Sequence, residues 1–298
     1  MRVLVLGAAA GGGFPQWNAN NAACRRARAG DPAARARTQC SIAVSGDDEN
    51  WAVVNASPDL RQQIEATPAL HPRDLPRHSP IAAMVLTGGE VDAVAGLLHL
   101  RERHAFTLFA TGRVQAVLRA NPIFDALAEP VTRRSVALDR PFTLSGGLRA
   151  ELFAVPGKLP LYLERGDDLT GEAEDTAGLR LSDADGAACF FIPGCARFNH
   201  ALGERLRGAA LVFFDATLWT DDEMIREGSG GKTGKRMGHM SVADPDGTMA
   251  AFGDLGVRRK ILIHINNSNP VLLDDSPERA IATDAGWEVA YDGMEITV

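Results

Sequence analysis

Ala82-Ala83-Met84-Val85-Leu86-Thr87 is an apolar run that passes through Gly88-Gly89 into Glu90-Val91-Asp92-Ala93. The first six residues read as a buried strand, and from Val91 to Arg103 apolar residues recur at helical spacing. A strand that turns through two glycines into a helix leaves Glu90 and Asp92 at its carboxyl end, where α/β folds build their sites. Three other segments end in the same way. Phe213-Phe214-Asp215-Ala216-Thr217 closes one strand, and Ile263-His264-Ile265-Asn266-Asn267-Ser268-Asn269-Pro270 closes another in a loop dense with amides. Arg236-Met237-Gly238-His239-Met240-Ser241 reads as a loop ahead of a helix. Together these four point to one pocket.

Working outward, short apolar runs bounded by turn residues predict strands at Val3–Leu6, Ser41–Ser45, Trp51–Ala56, Phe106–Ala110, Ala150–Val155, Ala188–Pro193, Ala210–Asp215, Lys260–Ile265 and Trp287–Tyr291. Helical spacing predicts helices at Asp59–Ala66, Arg113–Ala120, Asn199–Arg207 and Pro277–Ala285. Residues Arg25–Arg37, Lys158–Thr176 and Gly228–Gly234 read as loops. Strands follow one another early and alternate with helices later, which predicts a sheet-on-sheet core covered by outer helices, an α/β (α+β) arrangement.

The chain has 298 residues, 45% hydrophobic and 23% charged, with no visible linker, so a single domain over 1–298 is expected. Its net charge of −7 and scattered basic residues argue against nucleic acid as a partner. Membrane insertion is not expected, because no apolar stretch approaches about 18 residues. Met1-Arg2-Val3-Leu4-Val5-Leu6-Gly7 reads as a first strand rather than a signal peptide, and Cys24, Cys40, Cys189 and Cys195 form no CxxC pair. A cytoplasmic location with reduced thiols follows as the expectation.

Three tempting motifs fail. The glycines from Gly7 to Gly13 miss the dinucleotide fingerprint, because Ala9 and Gln16 stand at required glycines. Gly231-Lys232-Thr233 lacks the opening glycine of a P-loop, since Arg226 is there. Asp221, Asp222 and Glu223 read as carboxylates in the first turn of a helix.

Gly11-Gly12-Gly13-Phe14-Pro15-Gln16-Trp17-Asn18, Arg37-Thr38-Gln39, Asn55-Ala56-Ser57-Pro58-Asp59-Leu60-Arg61, Arg236-Met237-Gly238-His239 and His264-Ile265-Asn266-Asn267, in that order, resemble the pyrroloquinoline quinone (PQQ) biosynthesis protein B family of the metallo-β-lactamase superfamily. The resemblance covers essentially the whole chain and implies a metallo-β-lactamase-like αββα sandwich with its site along one edge. Position by position, the superfamily's HxHxDH motif falls on Gly88, Glu90, Asp92 and Ala93. Its next histidine falls on Lys158, its bridging aspartate on Cys195, and its last histidine on His264. Asp92 and His264 are unchanged, with Glu90 or Cys195 able to substitute. A lysine ammonium at a ligand position repels a cation. A two-metal hydrolytic site, which needs ions about 3.5–4 Å apart with several ligands each, is not expected, so neither is β-lactamase activity.

What remains is a single cation, iron(II) or zinc, on Asp92 and His264, with His239 or Asp215 completing a two-His-one-carboxylate set. By resemblance to the ribonuclease Z-like branch, Asp215 and His239 pair instead as a proton-handling unit. The family's Cys-x-Cys-x-x-Cys cluster falls on Ala19, Asn21 and Cys24, which argues against structural zinc. The resemblance implies PQQ biosynthesis, with PQQ or its peptide-derived precursor and other pathway proteins as partners, and leaves a homodimer open. One implied role is an iron-dependent hydroxylase acting on the tyrosine-derived ring of the Glu–Tyr intermediate. The other is a carrier that takes PQQ or its precursor toward the periplasm. In either role Lys158, Arg197, Lys232 and Arg236 are candidate partners for substrate carboxylates, and Asn266, Asn267 and Asn269 for carbonyls.

Overall fold

The computed structural model describes residues 1–73, 75–164 and 171–298. Its strands are β1 (Arg2–Gly7), β2 (Ser41–Ser45), β3 (Trp51–Val54), β4 (Ile81–Val85), β5 (Thr107–Ala110), β6 (Thr132–Ser135), β7 (Phe142–Thr143), β8 (Arg149–Ala154), β9 (Ala177–Ser182), β10 (Ala188–Ile192), β11 (Leu211–Asp215), β12 (Arg259–Ile263), β13 (Trp287–Val289) and β14 (Glu295–Thr297). They form two sheets, ordered β14-β1-β2-β3-β4-β5-β6 and β13-β12-β11-β10-β9-β8-β7. Each sheet is part antiparallel and part parallel, and both parallel halves carry helices on their outer faces, as in a metallo-β-lactamase fold.

One apolar layer joins the sheets face to face. It contains Val5, Ile42, Val54, Val85 and Phe109 from the first and Leu152, Leu179, Phe191, Phe213 and Ile261 from the second. Alternate residues of the same strands face outward and pack under helices, for instance Leu4, Val53, Met84 and Leu108 in the first sheet. Phe190, Val212, Phe214 and Leu262 do so in the second. β2, β3 and β11 are therefore buried along their whole length and read as unbroken apolar runs. No described helix is long and apolar enough to cross a membrane.

Every strand expected from the apolar runs is present. Most strands that were not foreseen are polar, short or at an edge, such as Thr132-Arg133-Arg134-Ser135, whose basic side chains protect a free sheet edge and hide the alternation. The buried, central β9 is the exception, its apolar run broken by Gly178 and Arg180. Two expectations need correction. The segment expected as a loop from Arg25 begins inside a helix, Ala22–Arg28, capped by the Asn21 side chain on the Cys24 N–H. The helix expected over Val91–Arg103 is α-helical only to Val94 and continues as a 3-10 helix over Ala95–Leu100. Gly96 causes the change: its N–H leaves the helix for the Ala56 carbonyl at 2.8 Å, and a Cβ there would lie 2.0 Å from the Ser57 carbonyl oxygen. Of the loop expected over Lys158–Thr176, residues 165–170 lie outside the described residues.

Parallel pairing decides where the site lies. β11 and β12 run in register, with Asp215 opposite Ile263, so both strands end at one level and His264 emerges beside Asp215. β4 ends at the same edge in the other sheet, and Gly88 bridges to Thr176 across the sandwich.

Candidate active site

A cavity of about 530 Å³ opens at this edge, with Asp92, Thr217, His239 and His264 in its wall and the Gly11–Gly12 turn on its rim. Asp215 is completely buried behind them. A buried carboxylate is costly unless its oxygens are met by donors. Here the Cys195 N–H (2.9 Å) and His239 Nδ1 (2.7 Å) meet Oδ2, and the Thr217 N–H (3.0 Å) and hydroxyl (2.7 Å) meet Oδ1.

With Nδ1 turned back to Asp215, the opposite ring nitrogen of His239 faces the cavity. The turn that presents His239 is shaped by Gly238, whose φ of 88° caps the helix Gly234–Met237. The helix expected after Arg236 thus lies partly on it. A Cβ at Gly238 would come within 2.8 Å of Lys158 Cγ, so this glycine also admits the lysine.

His264 stacks on His239, with ring centroids 5.2 Å apart and planes 18° from parallel. Its φ of 59° is in the left-handed region, held there by the surrounding bonds. Thr217 Oγ1 reaches the His264 carbonyl at 3.2 Å and His264 Nδ1 at 2.9 Å. On the other side of the ring, Nε2 is 3.0 Å from Asp92 Oδ2. Burial lowers the pKa of His264, but the hydrogen bond to Asp92 and the charges of Asp92, Asp215 and Glu90 outweigh it and raise the pKa. Burial likewise raises the carboxyl of Asp92, but the bond to His264 outweighs it and the pKa is lowered. This hydrogen bond closes the network on the side of Asp92.

Thr217 is the residue that sequence reasoning missed. Among the described residues, the group close enough to share a cation is Asp215, His239 and His264. Yet Thr217 Oγ1 stands between them, at 2.7, 3.0 and 2.9 Å from Asp215 Oδ1, His239 Nδ1 and His264 Nδ1. A hydroxyl two residues after an aspartate at a strand end is the signal that was available, but a threonine there is also ordinary turn chemistry.

The remaining candidates separate by what they touch. Lys158, Lys232 and Asn266 line the cavity, while Arg236 stands behind it. Arg197 is exposed and not part of the wall. Asn269 is fully buried, giving its amide N–H to the Ala216 carbonyl and accepting from the Val271 N–H, so no group is left for a ligand. Asn267 is likewise engaged: its amide donates to Gln16, and its oxygen accepts from Asn21 and the Cys24 thiol. Asn21 and Cys24, two positions of the family's cysteine cluster, thus anchor the N-terminal loop through an amide.

Over residues 50–265 the chain matches the family model of the beta-lactamase superfamily domain. It is 62% identical over 303 residues to coenzyme PQQ synthesis protein B of Gluconacetobacter diazotrophicus, covering 99% of each chain. With the protein of the same name from Xanthomonas oryzae pv. oryzae it shares 54% identity, covering all of both. The chain belongs to the coenzyme PQQ synthesis protein B family. Membership places it in PQQ biosynthesis. The crystal structure of zinc-bound PqqB from Methylobacterium extorquens superposes on it with a TM-score of 0.97 at 48% identity over the full length of both. A diphosphatase of the PhnP family, 20% identical with a TM-score of 0.70, shares the fold.

The donor set decides which metal centre these coenzyme PQQ synthesis protein B side chains fit. Asp92 Oδ2 and His264 Nε2, 3.0 Å apart, suit two adjacent ligands at about 2.0–2.2 Å from one cation. Several positions of a second centre carry other groups. Gly88 has no side chain, and Ala93 packs into the apolar layer under the first sheet. Lys158 Nζ is bonded to Glu164 at 2.7 Å and to Glu90 at 3.4 Å. Glu90 gives its other oxygen to the Leu161 N–H. Cys195 is a poor substitute ligand, because its thiol donates to the Arg197 carbonyl and burial pushes its pKa up, away from thiolate.

Proposed function

We propose that residues 1–298 act as one domain and one enzyme on the Glu–Tyr-derived precursor of PQQ, with His239 as acid–base residue positioned by Asp215. The observation that carries this reading is the buried Asp215 bonded to His239 Nδ1 at 2.7 Å, with the other imidazole nitrogen turned to the cavity. A carrier has no need of an imidazole oriented in this way, whereas proton transfer at a substrate hydroxyl or ring carbon does. A single iron(II) or zinc would be held by Asp92 and His264; iron(II) would supply the oxygen chemistry that ring hydroxylation requires.

The chain's own residues bind and orient the substrate. Lys232 and Lys158 meet its carboxylates, the Asn266 amide meets a carbonyl, and the Gly11–Gly12 turn lets the ring approach Asp92. Thr217 links the two imidazoles, and the Asp215 carboxylate keeps a proton on His239 Nδ1.

The test is metal analysis and precursor conversion of anaerobically purified protein with and without added iron(II). About one equivalent of metal should bind, and Asp92→Ala and His264→Ala should lose it. His239→Gln should keep the metal and lose conversion. A second reading, a carrier of PQQ or its precursor toward the periplasm, is favoured by Ala93, where a core methyl fills the position of a ligand. Tight PQQ binding with no metal in any sample and no conversion would select it.

A further inference from the structure

Glu164 pairs with Lys158 and Lys232, two basic side chains of the cavity wall, and it arrives from a short segment with two exposed apolar side chains. Its Oε1 is 2.7 Å from Lys158 Nζ, and its Oε2 is 3.7 Å from Arg236 Nη1 and 4.0 Å from Lys232 Nζ. Its side chain is only 10% exposed, and that of Lys158 only 15%. Three cations around Glu164 and Glu90 leave donors over: among the described residues, Arg236 Nη1 is buried without a hydrogen-bond partner. The segment that brings Glu164 there puts Leu161 and Tyr162 out into solvent, 60% and 44% exposed. Besides Glu164, its contacts among the described residues include the Leu161 N–H to Glu90, the Tyr162 hydroxyl to the Gly89 carbonyl and the Lys158 ammonium to the Leu159 carbonyl, with Pro160 buried in the cavity wall.

We propose that Lys158, Lys232 and Arg236 form a carboxylate subsite that Glu164 occupies in place of ligand, so that an incoming polycarboxylate displaces Glu164 and lifts the segment Leu159–Glu164. This rests on the reading that the cavity takes the carboxylated precursor or PQQ, and it adds an internal competitor to that reading. The three basic side chains exceed the carboxylates of Glu164 and Glu90, and a planar ligand with two or more carboxylates satisfies them better. Occupation by Glu164 reduces apparent affinity by the fraction of time the subsite is filled.

The experiment is calorimetric titration of the full chain with PQQ and with benzene-1,3,5-tricarboxylate. Glu164→Gln and Glu164→Ala should each bind both probes about tenfold more tightly than the parent. Lys232→Gln and Arg236→Gln should bind both more weakly. Glu288→Gln and Arg259→Gln, which change the net charge equally in a pair at the far end of β12 from His264, should match the parent. Unchanged affinity in both Glu164 variants, with PQQ still bound, would overturn the internal competitor alone. Absence of PQQ binding in every protein would overturn the reading of the cavity, and this inference with it.

Discussion

At the carboxyl end of β4, positions that would carry metal-binding imidazoles hold Gly88, Glu90 and Ala93. Across the cavity, at the ends of β11 and β12, Asp215, Thr217, His239 and His264 form one closed hydrogen-bonded set. The difference lies in what a substitution leaves behind. A glycine or an alanine on the first side strands no buried polar atom, because Ala93 simply joins the apolar layer. On the second side each group satisfies another, so removal of one orphans two or three. Ligands on a cavity wall can be lost one at a time; a buried carboxylate network is kept or lost as a unit.

The largest expected effect tests that second side. Asp215→Asn preserves shape but replaces one acceptor oxygen by a donor facing the Cys195 or Thr217 N–H. Precursor conversion should fall about a thousandfold or more, with roughly 1–3 kcal/mol of stability lost. Near-parental turnover would break the comparison by making the set merely structural. Next, Ala93→His restores a ligand on the first side, beside Asp92 and His264. Zinc affinity, read by chelator competition, should rise at least about tenfold, at a packing cost of about 1–3 kcal/mol. Unchanged affinity would mean that the first side has lost more than its side chains.

Thr217→Val removes the hydroxyl between the two histidines with little change of volume. Urea unfolding should show about 1–3 kcal/mol of lost stability, with Thr217→Ser recovering most of it. The smallest effect is a slope. Burial raises the Glu223 carboxyl from 4.5 to about 7, more than its bonds from Ser268, Trp219 and Thr220 lower it. Between those values the native state holds a proton that the unfolded chain has released, so stability falls as pH rises across the window. Glu223→Gln keeps the bonds and should flatten this slope in unfolding measurements at pH 4.5 and pH 7. An unaltered slope would remove Glu223 from the linkage.

Much of the site was legible because its residues follow strands. Asp92, Asp215 and His264 each stand where an apolar run stops, and parallel strands in one sheet stop at a common edge. His239 was legible through the Arg236–His239 segment. Thr217 was quoted but given no role, since its importance comes from a stacked pair of rings brought together from residues 239 and 264. Asn267 and Asn269 were expected at a ligand because amides after a strand are polar and close by. Their donors are consumed by Gln16 and by the Ala216 carbonyl, groups remote in sequence or on the neighbouring strand. Glu164 lay in a stretch that showed only loop composition.

The sequence by itself determined the layered fold, because apolar periodicity dictates which faces must be buried and turn residues dictate where each run ends. It also set the expectation that two full metal centres are not held, since glycine and alanine carry no donor atoms wherever they are placed. Only the tertiary structure decided which polar side chains are free and which are already satisfied. Hydrogen bonds and ion pairs are short-ranged: the partners of Asp215 and Asn269 are set by parallel pairing within the second sheet, and the contact of Lys158 with Glu90 by the packing of one sheet against the other.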